Sequence, residues 1–446
     1  MRTAVPVFVT GLILWSAGVV ADDWPQWRGP RRDGVWRETG IVARLPAQLH
    51  RRWQTPIGAG FSGPAVAGTR LFVTDRIAPK GQAAPKNRAM EREELGGRER
   101  VLCLDAETGR IVWEHSYRCQ YKISYPVGPR ATPTVHDGKV YTLGAMGDLL
   151  CLDSETGRLL WKKNYTAEFG TEMNLWGMAA APLVHGDKLV ILVGGKNGAG
   201  VVALDRETGD ELWRALEGGD PGYAAPVIVH AGGREQLIVW NPVGIHGLDP
   251  KAGTVYWREA ATIHMGHSIA TPIFDPKLGR LFVASFFDGP MMLELAEAQP
   301  TAKLLWRGTS HSELPANTEG LHSLLSTPAF KEGYLFGICS YGQLRCLDAA
   351  TGERLWETIE ATGRGRWWNA FLIRHEDRFL IFNEQGELII AQLSPKGYRE
   401  LSRAFLIEPT SRVGRRKVVW SHPAFAHRCV FARNDKEIVC IDLAAD

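Results

Sequence analysis

The chain lacks most of the marks that would assign a function at sight. Its 52 Lys+Arg and 49 Asp+Glu nearly cancel, leaving a formal charge of +3 over 446 residues. Neither a nucleic-acid-binding face nor an acidic tail is indicated. No apolar run of membrane-spanning length follows Val20. Cysteines number seven, an odd count, and no two are adjacent. "LVGGKNGAGVV" (192–202) has no Ser or Thr after Lys196 and leads into a strand-like segment, so it reads as a hairpin turn and not a phosphate loop. No nucleophile elbow occurs.

The N-terminal segment has Arg2, an apolar stretch from Ala4 to Val20, and small residues before Asp22 and Asp23. This pattern predicts an export signal over 1–21, cleaved after Ala21, and a periplasmic or secreted protein. With no cysteine near the cleavage point, no lipid anchor is expected. The mature chain is expected to be monomeric, without a transmembrane segment.

The informative feature is repetition. "VLCLDAETGRIVWEH" (101–115) returns as "LLCLDSETGRLLWKK" (149–163), "VVALDRETGDELWRA" (201–215), "IHGLDPKAGTVYWRE" (245–259) and "LRCLDAATGERLWET" (344–358). Weaker copies lie at Glu294 and Leu393, and the last ends at Asp442. Anchors at 105, 153, 205, 249, 294, 348, 393 and 442 are 44 to 54 residues apart, the period of a blade-like β unit. Upstream of each lies a second element, usually Pro-led: Pro64, Pro133, Pro182, Pro226, Pro272, Pro328 and Pro423. Each unit thus supplies four short strands, and eight such units hide their edges best as a closed ring, an eight-bladed β-propeller. The last unit lacks its fourth strand, while "QLHRRWQTP" precedes the first unit and carries Trp53. That N-terminal strand is expected to close the last blade. Domain bounds follow: residues 22–48 as an N-terminal strap, whose Trp24 and Trp27 should pack on the propeller wall, and 49–446 as the propeller.

Within the repeat, Asp105, Asp153, Asp205, Asp249 and Asp348 can accept hydrogen bonds from amides ahead of them. Gly109, Gly157, Gly209, Gly253 and Gly352 suit a turn with positive φ. Trp113, Trp161, Trp213, Trp257 and Trp356 offer flat surfaces for the gap between blades. Five near-identical copies are structural. Cys103, Cys151, Cys346 and Cys440 stand where other copies have Ala203 or Gly247, so that position calls for a small side chain and not for a thiol. Disulfides across Cys339–Cys346 or Cys429–Cys440 depend on strand register.

The A/C-L-D-x-x-T-G-x-x-x-W pattern resembles the tryptophan-docking motif of PQQ-like propellers, a group that includes quinoprotein alcohol dehydrogenases and BamB-type outer-membrane assembly factors. The resemblance covers the chain from about Trp24 onward. "DWPQWRGPRRDG" (23–34) is similar to the N-terminal signature of exported bacterial members. The dehydrogenases carry a vicinal cysteine pair and an acidic, Asn-containing calcium site with a catalytic Asp; this chain has no such pair, no segment that aligns with that site, and is shorter. The resemblance makes PQQ conceivable, but with those residues absent no cofactor is expected.

Candidate functional residues come from loops entering each innermost strand and from those between second and third strands, which converge on one face of a propeller. They are Arg130, Trp176, Tyr223, His264, His267, His322, Trp368, Asn369 and His422 from the first set, and Lys196, Asn197, Tyr341 and Glu384 from the second. The four histidines fall at different offsets, so they are read as hydrogen-bonding groups and not as metal ligands. Aromatics beside Arg, Asn and Glu suit a glycan or peptide. The insertion 76–100 mixes both charges with Pro and Gly and reads as an irregular loop in the first blade, with a lid or docking arm as its functional reading. Two functions follow: an exported non-catalytic scaffold holding an envelope protein or glycan, which is favoured, and a divergent quinoprotein or metal-assisted enzyme.

Overall fold

The computed structural model describes residues 22–445; the expected export signal lies outside them. Eight four-stranded antiparallel sheets follow one another along the chain. From innermost to outermost strand, blade 1 runs from Ala65–Ala67 to Ile111–Arg118, blade 2 from Thr134–His136 to Leu159–Asn164, and blade 3 from Leu183–His185 to Glu211–Ala215. Blade 4 runs from Val227–Ala231 to Val255–Ala260, blade 5 from Ile273–Asp275 to Ala302–Arg307, blade 6 from Ala329–Lys331 to Arg354–Thr358, and blade 7 from Ala370–His375 to Gly397–Phe405. Blade 8 begins at Ala424–Ala426, and its outermost strand is Arg51–Pro56, antiparallel to Glu437–Asp442. The N-terminal strand therefore closes the ring, and no sheet is left one strand short.

Register explains the small residue of the repeat. Cys103 pairs with Trp113, Cys151 with Trp161, Ala203 with Trp213, Gly247 with Trp257 and Cys346 with Trp356, each followed by a β-bulge. The closing strand repeats the pairing, with Trp53 opposite Cys440. A larger side chain there would compete with the indole for the same space.

Most of these indoles then dock on the next blade. Trp113 Nε1 donates to Ser154 O at 2.9 Å, Trp161 to Arg206 O at 3.1 Å, and Trp356 to Ser394 O at 2.8 Å; Trp53 reaches Ala106 O at 2.9 Å across the closure. The turn it meets is shaped for it. Asp153 Oδ1 accepts from the Glu155 and Thr156 amides and from Thr156 Oγ1, and Gly157 sits at φ 71°. A Cβ on Gly157 would lie 2.5 Å from Trp113 Cε3. Blade 5 has Glu294 and a longer turn instead, and there the preceding indole bonds within its own blade, Trp257 Nε1 to Gln236 Oε1 at 2.7 Å.

Three details go beyond the sequence reading. All seven cysteines are free and buried. In the last blade Cys429 pairs with Asp442 and Cys440 with Phe431, so the two are offset along the strands and not cross-strand partners. The first-blade insertion is not irregular throughout: its Glu93–Leu95 pairs with Tyr121–Ile123. Arg92 from the same segment donates to Lys122 O, Asn174 O and Met173 O. The strap packs against the innermost strands of the ring. Trp24 pairs with Val66 of blade 1, Pro25 O accepts from Val135 N of blade 2, and Val35 pairs with Arg374 of blade 7. Arg32 donates to Ala181 O of blade 3 and Pro226 O of blade 4. Arg32 also donates to Pro182 O, so carbonyls at the starts of two neighbouring innermost strands satisfy this buried cation.

Candidate functional site

The strap, the insertion and the entering loops enclose a cavity of about 390 Å³ on the propeller axis, to which all eight blades contribute. Its floor is Trp27, whose Nε1 donates to Thr271 Oγ1 at 2.8 Å and whose ring lies 4.9 Å from His422. Its roof includes Ala89 and Met90 of the insertion. Beside the roof stands the hairpin Ser411–Val413/Arg416–Val418, where Val413 and Val418 pack with Tyr125 against Phe61, Trp176, Trp367 and Trp420. The walls are mostly aromatic and aliphatic, and no Asp or Glu lines them.

Of the residues proposed from sequence, Arg130, Trp176, Tyr223, His267 and His422 line this cavity. Arg130 stands over the Phe61 ring at 5.5 Å. Its Nη1 donates to Gly128 O at 2.7 Å, and Nη2 donates to Ser124 O at 3.1 Å and Tyr125 O at 2.6 Å. Trp176 packs against the His267 ring at 4.9 Å, which stacks on Phe287 at 5.2 Å. Burial pushes His267 down to about 4 and His422 down to about 3, so both are neutral near neutral pH.

The others are placed elsewhere. Lys196 and Asn197 are exposed on a turn whose Lys196 amide bonds Phe169 O of the short helix Tyr165–Phe169, outside the ring's centre. His264 is exposed on the rim, edge-on to Phe287. His322 is fully buried, its Nδ1 3.1 Å from Phe286 O. Tyr341 is half-buried, its amide donating to Gln343 Oε1. Trp368 covers Gly342 and Gly363, and its neighbour Trp367 faces the cavity instead. Asn369 and Glu384 lie behind the wall: Glu384 Oε2 accepts from the Asn369 amide at 3.1 Å and from Trp420 Nε1 at 2.9 Å, and Arg416 pairs with its other oxygen. Burial raises Glu384 to about 7. The histidine ring therefore does not assemble, and among the described residues no three His, Cys, Asp or Glu side chains gather as metal ligands would.

Sequence reasoning passed over Tyr125, Met265, Arg366, Phe371 and Trp420, and considered Trp367 only as a filler of the channel mouth. Three of them, Tyr125 (φ 52°), Met265 (φ 56°) and Trp367 (φ 66°), have left-handed backbone without being glycine. Such a conformation costs a non-glycine residue about 1–3 kcal/mol, and it turns these side chains inward. Nothing in the sequence flags it. Trp420 could have been found, because it stands two residues before His422 in a loop of the same kind.

Residues 97–286 match the family model described as "Outer membrane protein assembly factor BamB". No curated protein matches. Among solved structures, BamB from Moraxella catarrhalis is similar with TM-score 0.56 at 15% identity, over 89% of this chain and 100% of its own. A europium-containing methanol dehydrogenase gives TM-score 0.62 at 14% identity, over 94% of this chain and 89% of its own. The computationally designed protein Ika8 gives 0.50 at 12%, over 90% and 100%. At such identities the likeness establishes fold and leaves function to the site.

Proposed function

We propose that this chain, a BamB-like β-propeller of PQQ-type repeats, is a binding protein of the bacterial cell envelope that holds an apolar group in its axial cavity and performs no chemistry there. The observation that carries this reading is the cavity itself: about 390 Å³, within the range of small-molecule sites, lined from all eight blades and closed by two segments outside the repeat.

Catalysis has little support in the lining. A general base works best with a pKa near the operating pH, and His267 and His422 lie well below it. The hydroxyl of Thr271 is engaged by Trp27. Nor does the donor set fit pyrroloquinoline quinone with calcium: the quinone is a tricarboxylate and its metal takes oxygen ligands, whereas these walls are apolar and carry no carboxylate. A glycan would find aromatic faces to stack on but few free donors and acceptors.

The test is titration of mature protein with the neutral fluorophore N-phenyl-1-naphthylamine, following energy transfer from cavity tryptophans. Wild type should bind one equivalent, and Ala179→Trp, which fills the space beside Trp176, should abolish binding while remaining folded. Equal binding by both proteins would place the probe elsewhere and refute the reading.

A further inference from the structure

The cavity is apolar, but its charge is unbalanced. Arg130 and Arg366 are the cations that line it. Arg366 is accounted for: it is 42% exposed, pairs with Glu313 at 2.7 Å, and lies over the Trp367 ring at 4.8 Å. Arg130 is different. Among the described residues no carboxylate stands within ion-pair distance of it, and its partners are three backbone carbonyls.

The carboxylate whose charge acts on it is Glu99. That group is engaged elsewhere, by Tyr117, by Tyr121 and by the Ala145 amide, and burial holds it towards its neutral form. Tyr121 and Tyr223 are the other titratable neighbours, and burial raises both, so they stay neutral too. His267 and His422 add no charge near neutral pH. One guanidinium therefore lines an apolar space with no counter-ion among the described residues. Arg130 is partly buried, and its charge meets only carbonyl dipoles, so a ligand anion would add the counter-charge that the protein does not supply.

The geometry leaves room for that anion. A guanidinium has five N–H donors. Three hydrogen bonds occupy Nη1 and Nη2 of Arg130, which leaves Nε–H and the second Nη1 hydrogen unused. These two point to different sides of the planar group, so an anion here accepts a single charge-assisted hydrogen bond from Arg130 and not a two-pronged one. Around them stand flat rings: Phe61, Trp176, Tyr223 and Trp420.

Resting on the binding role argued above, we propose that the cavity takes a small aromatic monocarboxylate, its carboxylate on Arg130 and its ring system among Trp176, Tyr223 and Trp420. One unpaired cation selects a monoanion: a neutral ring leaves Arg130 uncompensated, and a polyanion brings charges that the apolar walls would desolvate without partners.

The experiment is displacement of N-phenyl-1-naphthylamine by 2-naphthoate and by its neutral isostere 2-naphthamide. In wild type, 2-naphthoate should compete at least about tenfold better, a difference of about 1.4 kcal/mol. Arg130→Met, which keeps the stem and removes the charge, should erase that preference and leave the amide's affinity in place. Equal competition by acid and amide in wild type overturns the monocarboxylate while leaving the apolar binding role intact. That comparison needs no variant, so it stands if Arg130→Met does not fold. If the fluorophore does not bind at all, both the role and its ligand fall.

Discussion

His267 and His422 enter the cavity from blades 5 and 8 and carry no charge where most side chains of their kind are half-protonated. The reason is burial among rings: His422 lies 4.9 Å from Trp27 and 5.0 Å from Phe371, with Nδ1 2.7 Å from Pro423 O. The consequence for stability has a definite sign. In the unfolded chain His422 takes up a proton below its ordinary value of 6.5, whereas the folded protein resists until about 3. The unfolded state binds more protons across that window, so stability falls as pH falls through it. The contribution is on the order of a few kcal/mol at most. His422→Phe, which keeps a ring and removes the titration, should flatten the decline in urea midpoint between about pH 6.5 and pH 4. An unchanged slope would mean that His422 is accessible to protons in the folded state.

At the scale of elements, stability rests on the contact between one blade's indole and the next blade's Asp-led turn. Two glycines separate this contact from turn geometry alone. Gly138 and Gly157 share φ 71°, but a Cβ at Gly138 meets nothing within 4 Å, whereas one at Gly157 meets Trp113 at 2.5 Å. Both alanine variants bear the cost of left-handed backbone, and only Gly157→Ala also disturbs the dock. Gly157→Ala should therefore be the more destabilising by about 1–3 kcal/mol in equilibrium denaturation. Equal losses would show that the indole yields at no cost.

This dock was readable in the sequence because it recurs: the period fixed eight units, the Asp-x-x-Thr-Gly spacing fixed the turn, and the unmatched ends fixed the closing strand. The strap was less legible. Its tryptophans signalled burial but not destination, since nothing local to "DWPQWRGPRRDG" says that Arg32 will find carbonyls of blades 3 and 4.

For the whole molecule, a cavity bounded by every blade is a property of ring closure, and sequence reasoning approached it only through the list of loops. It found the right loops and chose within them unevenly. Arg130, Trp176 and Tyr223 line the cavity, as do His267 and His422. Trp368 was named as a site residue, but with Trp367 at positive φ it is Trp367 that lines the cavity, while Trp368 lies against Gly342. Glu384 is polar and lies at a second-set position, yet the Trp420 indole and Arg416 take it up behind the wall.

An axial cavity that binds an apolar ligand must also couple that ligand to global stability, because the site exists only when the ring is closed. A ligand that binds only the folded state stabilises it by RT ln(1 + [L]/Kd). The most direct measurement is calorimetric unfolding of wild type and Ala179→Trp, each with and without N-phenyl-1-naphthylamine well above its Kd. A thermal midpoint that rises with ligand in wild type and stays fixed in Ala179→Trp is the expected result. No rise in wild type, or the same rise in both, would contradict the assignment of the axial cavity as a binding site.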